Sequence, residues 1–125
     1  MSIQHVVDEE GRYDGMTLRE ALPSVVAEVV EACDPVEIIL FGSVARGDEG
    51  PDSDIDLLVV FDRLDRADRR GRMREIRGAI KTFVPVDILV ADRTDFDRRD
   101  EVGSPMYWPV REGRSVYQRA GTRVA

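Results

Sequence analysis

Three short apolar runs, rich in β-branched residues, constrain this chain more than any other feature. They are "VEIILF" at 36–41, "DIDLLVVF" at 54–61 and "PVDILVA" at 85–91. Each has the length and the flanking turn residues of a buried strand. Around them the apolar period changes to that of a helix. Leu18, Leu22, Val25, Val26, Val29 and Val30 recur at helical intervals, and Thr17 with Glu20 has capping-box spacing. Pro23 inside that pattern predicts a kink, or a restart with Pro23 in a first turn. The helix must stop by Asp34, because Pro35 disfavours helical geometry in the residue before it. From Leu64 to Phe83, Met73, Ile76, Ile80 and Phe83 form one stripe of an amphipathic helix, weakened by Gly71 and Gly78. Residues 94–101 read as a short acidic helix, 104–113 as another broken by Pro109, and "RSVYQ" as a last extended piece. This order implies an α/β (α+β) fold in which a small sheet is flanked by helices.

A chain of 125 residues matches the commonest size of one domain. We read residues 17–125 as that domain and residues 1–16, with Gly11, Gly15 and a "DEE" run, as a polar lead-in. Cys33 is the only cysteine and His5 the only histidine. An internal disulfide and a cysteine-based zinc site are thereby excluded, as are His-based metal sites, a Ser-His-Asp triad and a Cys-His pair unless the lone His5 serves. No apolar run approaches the ~18 residues of a membrane span, and the first residues lack the basic start and apolar centre of a signal peptide. The cytoplasm is the expected location, with no membrane partner. The net charge of −7 argues against nucleic acid as a partner. The charge run "DRLDRADRRGRMRE" at 62–75 reads as a solvated helix face or as a surface for a partner.

The chemistry concentrates in residues 38–61. The first strand runs into Gly42-Ser43, and ten residues separate Ser43 from Asp54. Residues i and i+2 of a strand share a face, so Asp54 and Asp56 present two carboxylates side by side. Such a pair at the mouth of an apolar strand calls for a counter-charge, and Mg²⁺ takes one or two carboxylates plus substrate phosphates. Asp87, set between Val86 and Ile88, offers a third carboxylate and completes the donor set of a two-metal clamp. Gly42 allows close approach of backbone to a phosphate, and Ser43 adds a hydroxyl or caps the following turn. Arg46, one turn later, can reach the same anion or pair with Asp48 or Glu49. Rival motifs fail on position. "GSVARG" lacks the Lys-Ser/Thr of a P-loop, "DSDID" lacks the glycine and final glutamate of a calcium loop, and no G-x-G-x-x-G occurs.

The order strand, Gly-Ser, spacer, Asp-x-Asp, strand resembles the signature of the nucleotidyltransferase superfamily related to DNA polymerase β. More closely, "LFGSVARGDEGPDSDIDLLV" resembles the minimal nucleotidyltransferases (MNT), antitoxin partners of HEPN toxins. The resemblance is carried by residues 38–60, extends from the third strand to "REGRSVY", and hardly touches residues 1–16. It implies a small mixed sheet flanked by helices and Mg²⁺-dependent transfer of AMP from ATP. It implies Asp54, Asp56 and Asp87 as metal ligands, Asp87 also receiving the acceptor proton, and Gly42 and Ser43 as the triphosphate cradle. It further implies a tyrosine hydroxyl on a HEPN-domain toxin, the neighbouring gene product, as acceptor, within a hetero-oligomer. Two alternatives remain: occlusion of a HEPN ribonuclease without catalysis, and nucleotidylation of a small molecule of the aminoglycoside type. Tyr107, Trp108 and Tyr117 are either core residues or a stacking surface for a nucleobase.

Overall fold

The computed structural model describes residues 4–98, 101 and 111–120. Helix α1 (Leu18–Cys33) starts at a complete capping box: Thr17 Oγ1 accepts from the Glu20 N–H at 3.1 Å, and Glu20 Oε1 accepts from the Thr17 N–H at 3.0 Å. It ends on Asp34 in the left-handed region, one residue before Pro35. Pro23 neither restarts nor ends this helix, which runs through it. The N–H that Pro23 lacks would have reached only the Arg19 carbonyl. The apolar stripe on either side, Leu18 and Leu22 before, Val25 and Val29 after, is buried and carries the helix across.

The strands follow as β1 (Glu37–Phe41), β2 (Ile55–Phe61), β3 (Val86–Asp92) and β4 (Arg114–Gln118), with a five-residue helix α2 (Gly42–Arg46) between the first two. They form one mixed sheet in the order β3-β2-β1-β4. β1 is antiparallel to β2 and β4, and β2 is parallel to β3. The parallel pair requires a crossover, which α3 (Arg69–Ala79) supplies after a 3₁₀ turn at Arg66–Asp68. The described architecture is the small mixed sheet with helices that the sequence implies.

The sheet buries both faces. Ile38, Leu40, Leu57, Val59, Ile88 and Val90 pack under α1 and α3 with Val25, Val29 and Ile76. On the other side Ile39, Leu58, Val60 and Ala91 meet Phe96 of α4 (Arg93–Asp97). Asp92 caps α4 by accepting from the Asp95 N–H at 2.9 Å. The acidic helix thus starts one residue earlier and stops four residues sooner than the composition suggests. The helix expected at 104–113 lies largely outside the described residues.

The stripe from Leu64 to Phe83 is not one helix, because α3 stops at Ala79. Glu28 of α1 accepts from the Lys81 N–H at 3.0 Å, the Thr82 N–H at 3.2 Å and the Thr82 hydroxyl at 2.7 Å. A side-chain carboxylate takes donors that a longer helix would have used internally. Ile80 still packs on the core, while Phe83 stacks on His5 with ring centroids 4.5 Å apart. Residues 4–16 fold back through bridges Val7–Tyr13 and Tyr13–Met16, and Tyr13 meets Phe83 edge-on at 5.7 Å. No helix among the described residues is long and apolar enough to cross a membrane.

Candidate active site

The end of β1 and the beginnings of β2 and β3 lie together. In register, Phe41 of β1 is opposite Asp56 of β2, and Asp56 is opposite Asp87 of β3. Side chains alternate along a strand, so Asp56 shares the face of Leu58 and Val60, away from α1 and α3. Asp54, just before β2, continues the same face. Carboxylate oxygens of Asp54, Asp56 and Asp87 all lie within 4.8 Å of one another.

That proximity is electrostatically expensive. The Asp56 carboxyl is pushed up from its ordinary value to about 7, first by partial burial, then by its hydrogen bond to Asp54 and the charges of Asp54 and Asp87. The Arg46 guanidinium opposes the shift weakly. Arg77 of α3 approaches Asp87 from the outside, Nη2 to Oδ1 at 3.4 Å, in an exposed pair. Three carboxylate groups form a hard oxygen donor set, and their mutual repulsion is what a divalent cation relieves. The residues present therefore fit such an ion.

Gly42 is required at the turn on two grounds. Its φ is 75°, in the left-handed region that disfavours side chains. A Cβ built there would also run into the Asp56 carboxyl group, with Cγ only 2.9 Å away. The backbone between β1 and α2 thus passes directly against the acidic cluster. Ser43 follows in the first turn of α2, half-buried. Its carbonyl accepts from the Gly47 and Asp48 N–H groups at 2.9 and 3.1 Å, closing the short helix. Arg46 is engaged at the surface, Nε to Asp48 at 3.3 Å and Nη1 to Glu112 at 3.1 Å.

Five of the six residues that the sequence singled out therefore gather at one edge, and the sixth, Arg46, is held beside it by carboxylates. Tyr117 packs half-buried against the main core from β4, while Tyr107 and Trp108 lie outside the described residues. Two neighbours had no signal in the sequence. Arg77 sits in a run of arginines on α3, and only the crossover brings it to Asp87. Arg19 of α1 donates from Nη2 to the Val44 carbonyl at 3.0 Å and pairs with Glu49 at 3.3 Å, tying α2 to α1. The Cys33 thiol donates to the Val29 carbonyl at 3.2 Å, and burial pushes it up to about 11.

Comparison with known proteins decides the family. The signature of the family described as "Nucleotidyltransferase domain" matches residues 22–105, which include Gly42, Ser43 and all three aspartates. The chain belongs to the nucleotidyltransferase domain family. Its fold is similar to a crystal structure of a candidate nucleotidyltransferase from Sulfolobus solfataricus, at 28% identity over 86% of each chain with a TM-score of 0.61. A toxin–antitoxin structure with AMP-PNP is more distant, at 20% identity over 78% of this chain and 73% of that chain, with a TM-score of 0.49. No curated protein matches. As a nucleotidyltransferase domain, the chain is a transferase, and the sheet edge bearing the aspartates is its candidate active site.

Proposed function

We propose that this nucleotidyltransferase moves AMP from ATP to a hydroxyl, preferably a tyrosine, of a partner protein, and that it acts as the antitoxin of a HEPN/MNT pair. The observation that carries the reading is the convergence of Asp54, Asp56 and Asp87 against a glycine whose backbone has no room for a side chain. A phosphoryl-transfer site needs little covalent chemistry from the protein and much positioning and charge stabilisation.

Asp54, Asp56 and Asp87 would hold Mg²⁺, in the proposed two-ion arrangement. When bound, the ions supply Lewis-acid stabilisation of charge developing on the α-phosphate. Gly42 would let the triphosphate approach the backbone, with the Ser43 hydroxyl donating to a phosphate oxygen. Asp87 would receive the proton of the acceptor hydroxyl as its oxygen bonds to the α-phosphorus and the bond to the β-phosphate oxygen breaks. Pyrophosphate leaves with the bonding pair. Arg77, already against Asp87, would orient that carboxylate. Arg46 must give up Asp48 or Glu112 before it can serve a phosphate.

A protein acceptor is favoured because the described residues supply one sheet with its covering helices and no second domain that would enclose a small-molecule acceptor. Incubation of the chain with the neighbouring gene product, Mg²⁺ and ATP labelled in the α-phosphate should label the partner. The label should disappear with Asp56→Asn. An unlabelled partner, or label that survives Asp56→Asn, overturns the reading.

A further inference from the structure

We propose that the arginine-lined cleft between the end of β2 and α3 is a docking site for an acidic segment of a partner protein. The cleft is lined by four arginines, Arg63, Arg70, Arg72 and Arg74, against Asp65, Asp68 and Glu75, a positive balance in a chain whose net charge is −7. The charge of this surface is thus opposite in sign to that of the whole. Arg63, Arg70 and Arg74 line a cleft of about 850 Å³ that opens beside the 3₁₀ turn.

These three arginines differ in state from most of the described arginines, and exposed Arg66 and Arg114 share that state. Among the described residues, Arg12, Arg19, Arg46, Arg69, Arg72, Arg77, Arg93, Arg98 and Arg119 each have an acidic partner. Arg63, Arg70 and Arg74 are exposed and have none there. Arg72, in the same cleft, is already fixed. Its guanidinium lies 4.7 Å over the Phe61 ring and its Nη1 donates to Glu75 at 2.7 Å. The cleft thus has one anchored cation, three that await carboxylates, and the buried Leu64 in its lining. A planar guanidinium grips a carboxylate through two parallel N–H donors, so a small number of glutamates or aspartates can engage all three.

Asp65, Asp68 and Glu75 also line this cleft, which decides the class of partner. An evenly charged phosphate backbone would run into these acids. A protein segment can place carboxylates on the arginines and leave neutral or basic groups opposite the acids. The cleft lies at the far end of the sheet from the aspartates, since Ile55 and Phe61 bound β2 and a strand rises ~3.3 Å per residue, about 20 Å over that length. None of the lining residues is among those assigned to transfer, and the inference stands whether or not transfer occurs.

Fluorescence anisotropy with a labelled polyglutamate peptide of about ten residues tests it, at an ionic strength low enough for exposed charges to act, about 50 mM. The intact chain should bind the peptide, and affinity should fall as salt rises. Arg63→Gln/Arg70→Gln/Arg74→Gln should weaken binding at least tenfold, with the thermal midpoint unchanged. The triple change to Lys should keep part of the affinity, which separates lost charge from lost fold. Failure to bind polyglutamate, or equal binding by the Gln variant, overturns the proposal. Tighter binding of an oligouridylate of similar length overturns it in favour of nucleic acid. Labelling of the partner in the transfer assay is a separate readout, so either idea can fail alone.

Discussion

The two ends of the sheet concentrate charge of opposite sign, and they do so at very different expense. At the aspartate end three carboxylates lie within 4.8 Å of each other, Asp56 is partly buried, and its proton is held up to about neutrality. At the arginine end the cations are spread over the outer face of α3 and its lead-in, where Arg63, Arg70 and Arg74 remain solvated. Exposed like charges a turn apart are screened by water and salt and demand little of the fold. Crowded carboxylates, two of them half-buried, lie against a glycine backbone at Gly42 and beside Arg77. Strain of that kind persists at sites where a ligand offsets it. The comparison separates a crowded carboxylate cluster, whose repulsion a cation would relieve, from a solvated basic surface.

The largest effect should come from the aspartates. Asp56→Asn should lower transfer about 10³-fold, the size expected when several kcal/mol of metal-borne charge stabilisation are lost. Chelation of divalent ions should abolish transfer to the same degree in the unaltered chain. A variant that kept a tenth of the activity would remove the special status of that end.

Stability against pH gives the next effect, and its sign is opposite to that of a paired carboxylate. In the metal-free folded chain Asp56 keeps its proton to about pH 7, whereas the unfolded chain releases it near 3.8. Between those values the unfolded state binds fewer protons, so this group's contribution to stability is intact below pH 3.8 and is lost as pH rises through 7. Asp56→Asn cannot titrate. In EDTA it should melt above the parent at neutral pH, and the gap should close as the pH approaches 4. Thermal scans across that window check it, and a gap that does not change with pH would count against the crowding of the three carboxylates.

Much of this contrast was legible in the chain itself, for a physical reason. The three strands start and end within a residue of their apolar runs, because both faces of the sheet are buried and most of their residues must be apolar. The order Gly-Ser, spacer, Asp-x-Asp is local, so the residues meet by strand geometry alone. Asp87 stood out by interrupting an otherwise apolar strand. What could not be read depends on distant partners. α3 stops at Ala79 because Glu28, 53 residues before Lys81, captures the N–H groups beyond it. Arg46 pairs with Glu112 across 66 residues, and Arg77 reaches Asp87 only through the crossover. The edge position of β4, with its register shift between Ile38 and Ile39, has no local signature either. Nor did residues 4–16 announce that Tyr13 and His5 would settle on Phe83.

Two glycines carry the comparison to smaller effects. Gly42→Ala must hold an L-residue at a φ of 75° and push against the Asp56 carboxyl group. It should lose about 1–2 kcal/mol of stability from the left-handed backbone alone, and transfer should fall with it as Asp56 is displaced. Denaturant melts and the labelling assay report the two parts separately. A variant of unchanged stability and activity would show that the turn has room to relax, and with it the acidic row.

Gly71, on α3 at the other end, should respond in the opposite direction. It lies inside a helix with ordinary negative φ, and the nearest atom to an added Cβ is the mobile Arg74 Nη2 at 3.9 Å. Nothing there needs a glycine, so the residue contributes only unfolded-state freedom and a poor helix propensity. Gly71→Ala should raise stability by about 0.5–1 kcal/mol and leave transfer unaltered. Because Gly71 lines the arginine cleft, the same variant also gauges how closely a partner approaches the helix backbone there. Polyglutamate binding should survive an added methyl group if the long arginine side chains make the contacts. Weaker binding despite a more stable α3 would mean that the acidic segment packs onto the helix itself, and the docking surface would then be read from shape as well as charge.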